Sequence, residues 1–114
     1  MAVDFQVITI DVQDPVTEDP VIGRQEFEGL AIFPSNVNRA VVALNGFKMD
    51  YAGNEVDHHM NVVEIDADLR RKGSNASPIH GNHVHFVVEC QYADKNFNDP
   101  YFGYVSVTVI AERV

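Results

Sequence analysis

Apolar and polar residues alternate with a period of two over most of the chain, as they do in β-strands whose two faces meet different surroundings. The segment from Asn82 to Asp94 shows this alternation most clearly. One face of the predicted strand carries Val84, Phe86, Val88, Cys90 and Tyr92. The other face carries His83, His85, Glu89 and Gln91. We therefore expect the histidines to lie on a strand surface that is turned away from the main core.

Five further segments have the length and the Val, Ile, Phe, Tyr and Thr content of strands, and clusters of Gly, Pro, Asn and Asp separate them. These segments are Val3 to Val12, Gln25 to Phe33, Arg39 to about Tyr51, Val56 to Leu69 and Tyr101 to Arg113. Residues 52–54 predict a hairpin turn, and Arg70 to Gly81 predicts a loop. Six strands in series, with no helical segment between them, predict an all-β fold, a six-stranded antiparallel β-sandwich.

Length and charge narrow the class of protein. A chain of 114 residues is about the size of one domain, so we expect a single β-sandwich domain over residues 1–114. The net charge is −9 and the only basic run is Arg70 to Lys72, which disfavours nucleic acid as a partner because phosphates need neutralising by Lys and Arg. No stretch reaches the roughly 18 apolar residues of a membrane span.

The chain start, MAVDFQVITI, lacks the basic region of a signal peptide. We therefore expect a protein of the cytoplasm, or one released without a classical signal. The single Cys90 cannot form an internal disulfide. Its place on the apolar strand face predicts a small buried side chain rather than a nucleophile.

Some outward positions are apolar as well. His58, Met60 and Val62 share one outer strand face, and Tyr104 and Ile110 share another. Such a patch on a small sandwich favours a subunit interface, so we expect a homo-oligomer.

The order of segments resembles the H-type lectin domain between roughly Glu26 and Glu112. The resemblance rests on the Phe33-Pro34 step and on the strand sequences AVVALNGF, HHMNVVEI and VSVTVIAE. It implies a six-stranded sandwich that assembles as a trimer and binds galactose-type glycans, especially N-acetylgalactosamine. Unlike many members of that family, this chain has no Trp.

The same resemblance implies a sugar site in a cleft between subunits. The loop that joins the last two strands would contribute Tyr92, Asp94, Asn96 and Phe97, and a neighbouring subunit would contribute His59 or Asn61. The loop sequence YADKNFNDPYFGY independently combines aromatic rings with Asp and Asn groups. Rings can stack on the apolar face of a sugar, and carboxylates and amides can bond to its hydroxyls. Alternatively, the Asn, Asp and Pro residues only form a turn, and the aromatic residues pack against the end of the sandwich.

A metal site is the main alternative chemistry. His83, His85 and Glu89 have the H-x-H-x3-E spacing of the first cupin motif, and two His at i and i+2 of a strand point the same way. The chain has no His after position 85, so the second cupin motif is missing. A weaker divalent-metal site could join His83 and His85 with His58, His59 or an acidic group.

Other catalytic motifs are absent from the sequence, including the G-x-S-x-G elbow and the P-loop. The five His residues suggest a pH switch if several lie at a subunit interface. The sequence therefore favours a non-enzymatic, carbohydrate-binding module. The alternatives are a structural or interaction subunit of a larger assembly and, third, a metal-binding sandwich or cupin-like enzyme.

Overall fold

The computed structural model describes residues 2–52, 62–93 and 99–114. Within them the chain forms seven strands and no helix, so no helix in this part of the chain could cross a membrane. The strands are β1 (Ala2–Val12), β2 (Gln25–Ile32), β3 (Val37–Tyr51), β4 (Val62–Asp68), β5 (Ile79–His80), β6 (His83–Ala93) and β7 (Tyr101–Arg113). The predicted all-β class is confirmed.

The strands form two antiparallel sheets. One sheet has three strands in the order β1-β7-β3, and the other has four, in the order β2-β6-β4 with β5 paired to β6. β7 and β6 are thus the central strands of their sheets. β1 contacts β2 between the sheets, and β3 contacts β4, β5 and β6.

The predicted strand boundaries agree with the structure to within one or two residues wherever the structure describes them. β7 has the predicted bounds, and β6 begins one residue later than predicted. Residues 53–61, which include most of the predicted hairpin turn and the first part of the predicted fourth strand, lie outside the described residues.

The short strand β5 was not expected, because it lies inside the segment predicted as a loop. Gly81, with a φ of 60°, lets the chain reverse between β5 and β6, so His80 pairs with His83. The backbone N–H of His85 also donates to the Pro78 carbonyl at 2.8 Å. A two-residue strand has too short a hydrophobic pattern for sequence periodicity to find.

The core lies between the two sheets and is built from the inward faces of their central strands. Val84, Phe86, Val88 and Cys90 of β6 and Val105, Val107, Val109 and Ala111 of β7 are fully buried and belong to one cluster. Burial of each Val or Phe side chain contributes about 1.5–3 kcal/mol. The apolar face predicted for the histidine strand is therefore confirmed as a core face.

Candidate functional site

The polar face of β6 is turned away from the core, as predicted, but it is not fully open to solvent. His83, His85, Glu89 and Gln91 do lie on the face opposite the core, but each is only partly exposed. Val87 lies on that face too and is fully buried. In register it stands between Glu28 of β2 and Asp68 of β4. The basic run from Arg70 to Lys72 folds back onto these strands, and we attribute the burial of Val87 to it.

Carboxylates on this face would repel one another without that basic run. The register places Glu26, Glu89 and Asp66 side by side across three strands, and like charges in such positions destabilise a sheet. Arg70 Nη2 binds both Glu26 Oε1 and Glu89 Oε1. Arg24 binds Glu64 and, at 3.0 Å from Nη1 to Oε2, Glu89. The two guanidinium groups thereby neutralise much of the acidic face.

Glu28 is a second point of attachment for the basic run. It accepts the backbone N–H of Lys72 at 2.7 Å, and its Oε1 lies 3.6 Å from Arg71 Nε. His85 Nδ1 lies 3.2 Å from the same oxygen. The backbone bond from Lys72, assisted by Arg71 and His85, lowers the pKa of the Glu28 carboxyl. The side-chain bond from Arg70 likewise lowers the pKa of Glu26.

Asp68 behaves in the opposite way. Partial burial and the nearby Asp66 carboxylate raise its pKa, although Arg70 Nε lies 3.8 Å from Asp68 Oδ2. β4 therefore keeps two mutually repelling acids at the edge of the sheet.

The H-x-H-x3-E spacing does not produce a metal site here. The rings of His83 and His85 are 6.5 Å apart and tilted by 59°. Glu89 lies four residues beyond His85, about 13 Å along a strand, and it is bound by Arg24 and Arg70. Among the described residues, no three His, Cys, Asp or Glu side chains are arranged to hold a metal ion. The side chains at positions i and i+4 of a strand are too far apart to bind one metal ion together.

Of the predicted sugar-binding residues, only Tyr92 lies in the described part of the chain. Its ring stacks on Tyr51, with centroids 4.4 Å apart, and meets the edge of Tyr101 at 6.1 Å. It also packs against the core cluster. Asp94, Asn96, Phe97, His59 and Asn61 lie outside the described residues, so their roles stay predictions. The same holds for the His58 and His59 part of the metal and pH-switch hypotheses.

Cys90 is a core residue, as its position on the apolar face predicted. It is fully buried, and burial raises the pKa of its thiol. Its Sγ lies 3.9 Å from the Tyr101 hydroxyl. This setting disfavours the thiolate that a nucleophile requires.

The outer face of the three-stranded sheet is the feature that sequence reasoning only partly found. Ile110 was expected to lie there, but its neighbours in β1 and β3 were not identified. Besides Tyr104, the large apolar side chains exposed on this face are Val3, Phe5, Val7, Val41 and Ile110, and we call these five residues the apolar outer face. The signal was present in β1, where apolar residues occupy both faces, a pattern typical of strands covered on both sides.

The apolar outer face is organised by strand register. Ile110 of the central strand β7 pairs with Phe5 of β1 on one side and with Val41 of β3 on the other. In the next outward row, Thr108 pairs with Val7 and Ala43. Phe5 is 66% exposed and Val41 is 59% exposed. Two adjacent rows across the whole sheet therefore present uncharged, mostly apolar side chains to the surroundings.

Compared with known proteins, the chain matches no family model, no curated protein and no solved structure at a significant level. A function must therefore be inferred from the outer faces of the chain's own two sheets.

Proposed function

We propose that this protein is a non-enzymatic β-sandwich module that works as a structural or interaction subunit, and that it self-assembles through the apolar outer face. The observation that supports this proposal is the row formed by Phe5, Ile110 and Val41 across all three strands of the sheet. Monomeric proteins rarely expose contiguous apolar patches larger than a few hundred Å², and the largest patch on a protein is often a contact site.

The contrast between the two outer faces supports the same proposal. The outer face of the four-stranded sheet carries carboxylates that its own Arg24, Arg70 and Lys72 bind, and its exposed large apolar side chains are Leu30 and Ile32 at one end of β2. The three-stranded sheet instead exposes a row of large apolar side chains that runs across all three of its strands. Removing apolar surface from water contributes about 25 cal/mol per Å², so covering that face is favourable.

The test compares variants on and off the face. Phe5→Lys and Val41→Lys place a charge in the row, whereas Val16→Lys places one at an 88% exposed position outside the sheets. Light scattering gives the mass of each protein in solution. We expect wild type and Val16→Lys to exceed the 12.7 kDa of one chain, and both face variants to return to it with unchanged circular dichroism.

Two outcomes would contradict the proposal. One is a wild-type mass of a single chain at concentrations up to the millimolar range. The other is an assembly that survives both face substitutions, because the contact would then lie elsewhere.

Carbohydrate binding is a second candidate function, and one observation favours it. β6 ends at Ala93, directly before the segment that carries Asp94, Asn96 and Phe97. Tyr51 and Tyr92 form a stacked aromatic pair, and Tyr92 comes two residues before Asp94 in the chain. A glycan of the galactose type would suit such a combination of rings with carboxylate and amide groups.

A glycan array tests this candidate separately from assembly. We expect binding of galactose-type glycans that Asp94→Ala or Asn96→Ala abolishes, while the solution mass stays that of the wild type. A blank array from a folded protein would remove the carbohydrate proposal and leave the assembly proposal intact.

A further inference from the structure

The apolar outer face is a single patch on one side of the molecule. Its large apolar members come from β1, β3 and β7. A depression of about 210 Å³ on the same side is lined by Val3, Val41 and Ile110 together with Arg39 and Glu112. A flat sheet face with shallow relief suits packing against another sheet, at a spacing of about 10 Å.

The distribution of charge allows a second copy of the chain to meet this face. The chain carries a net charge of −9, so two copies repel one another over most of their surfaces. In the two central rows of the face, every outward residue is uncharged. The adjoining row holds Arg39 and Glu112, which pair with each other at 2.9 Å. The central rows of two copies that meet at this face therefore bring no charges together.

The area of the apolar outer face is also compatible with a contact between two copies of the chain. At their exposed fractions, the five apolar side chains of the face offer on the order of 500 Å² of apolar surface, the upper end of the range for patches on monomers. With the neighbouring Ala43, Ser106, Thr108 and Thr9 side chains, the face reaches roughly 600 Å² per partner, the lower end of the about 1,200–2,000 Å² in total that stable interfaces bury.

We infer that a second copy of this chain covers the apolar outer face, with the two three-stranded sheets packed face to face about a two-fold axis. This inference rests on the proposed function and adds its stoichiometry and geometry. A ring of three needs two different complementary surfaces on each chain, whereas one self-complementary patch closes as a dimer. We therefore infer a dimer, in place of the trimer that the lectin resemblance implies.

Cysteine trapping tests this geometry. In a two-fold contact, a residue near the axis lies opposite its own copy, and the centre of the face is formed by Thr108 and Ile110 of the central strand. Thr108→Cys and Ile110→Cys are made separately and oxidised mildly. We expect at least one of them to give a covalent dimer in high yield, with no larger product. The native Cys90 is fully buried and does not interfere.

Val16→Cys is the matched control, since it is highly exposed but lies off the face. It reports random collision and should give at least fivefold less covalent dimer at low protein concentration. Adding Phe5→Lys to the Thr108→Cys or Ile110→Cys chain should abolish the link.

The test separates failure of this inference from failure of the proposed function. If the Phe5→Lys variant loses assembly but neither central cysteine links, the face mediates contact in another arrangement, such as a ring or edge pairing through β1, and the two-fold inference is overturned. If wild type remains a single chain in solution and no cysteine links, both proposals fail, and the face belongs to a different partner.

Discussion

Gly29 shows how closely the core residues of the second sheet are fitted. It pairs with Phe86 across β2 and β6, and an added Cβ would collide with the Phe86 ring. Phe86 is fully buried, so the ring has little room to move. Glycine is needed at this position because it lacks a side chain.

We therefore expect Gly29→Ala to lower the free energy of unfolding by about 1–3 kcal/mol, as overpacked cores do. Gly46→Ala is the matched control, because nothing lies within 4 Å of a Cβ built there. It should change stability by less than about 0.5 kcal/mol. Urea denaturation measures both, and equal effects would mean that the Phe86 ring does not occupy the place described.

The Tyr101 hydroxyl fixes the connection between β1 and β2. It donates to the Gly23 carbonyl at 2.6 Å, and the Tyr101 backbone exchanges hydrogen bonds with Val21. Its burial raises the pKa of the phenol. The neutral hydroxyl is thus a structural donor.

Tyr101→Phe should cost about 1–2 kcal/mol, because it removes a hydrogen bond from a partly buried carbonyl. Tyr104 lies on the outer face of the same strand and is 43% exposed. Tyr104→Phe should therefore lower the free energy of unfolding by less than about 0.5 kcal/mol. Thermal or urea unfolding compares the two, and a Tyr101→Phe variant as stable as wild type would be inconsistent with this role.

Sequence reasoning worked well at residues whose setting depends on strand alternation alone. Cys90 and Phe86 are core residues because they share a face with Val84 and Val88, and period two is enough to place them. It failed at Glu89, whose partners Arg24 and Arg70 are distant in the chain. Only the folded register brings those three side chains together.

At the scale of elements, the four-stranded sheet depends on the basic run from Arg70 to Lys72. Glu26 and Glu28 of β2 have lowered pKa values because of bonds from Arg70 and from the Lys72 backbone. A lowered pKa in the folded state adds stability above the ordinary Glu value of 4.5, and this stability is lost as the pH falls through the folded value. The basic run therefore stabilises the four-stranded sheet more at neutral pH than at acidic pH.

Glu28→Gln should lower the urea midpoint at pH 7 and reduce the loss of stability between pH 6 and pH 3. Glu18→Gln, in the exposed turn before β2, is the control and should retain the wild-type pH profile. Urea titrations at several pH values measure this. Parallel profiles for wild type and Glu28→Gln would show that Glu28 does not hold the basic run.

Asp68→Asn should act in the opposite direction. The raised pKa of Asp68 means that its ionisation opposes folding as the pH rises above the ordinary Asp value of 3.8. The variant should therefore gain stability at pH 7 relative to wild type, and lose this advantage at pH 3. A variant that is less stable than wild type at pH 7 would indicate that the Arg70 contact outweighs the repulsion from Asp66.

The bounds of the strands were largely predictable from the sequence, but the segments that pack over the strands were not. Alternation located β6 and β7 closely, because each strand has one continuous apolar face. The return of residues 70–72 onto β2 depends on contacts between distant segments, so no local pattern indicates it. β5 was missed for a different reason, because a two-residue strand is too short to show a hydrophobic period.

At the scale of the whole molecule, the outer faces of the two sheets differ in the side chains that they expose. In the four-stranded sheet, Arg24 and Arg70 bind three of the glutamates. In the other sheet, Phe5, Val41 and Ile110 remain exposed. The sequence suggested self-association from Ile110 and Tyr104. The continuous row across β1, β7 and β3 became visible only once the register was known.

The most direct test of this account is the mass of the wild-type chain by sedimentation equilibrium over a dilution series, with Phe5→Lys beside it. The account predicts a mass of two chains of 12.7 kDa at high concentration, dissociating on dilution, and a single chain at every concentration for Phe5→Lys. A wild-type chain that stays single throughout, or a Phe5→Lys chain that associates as wild type does, would contradict it.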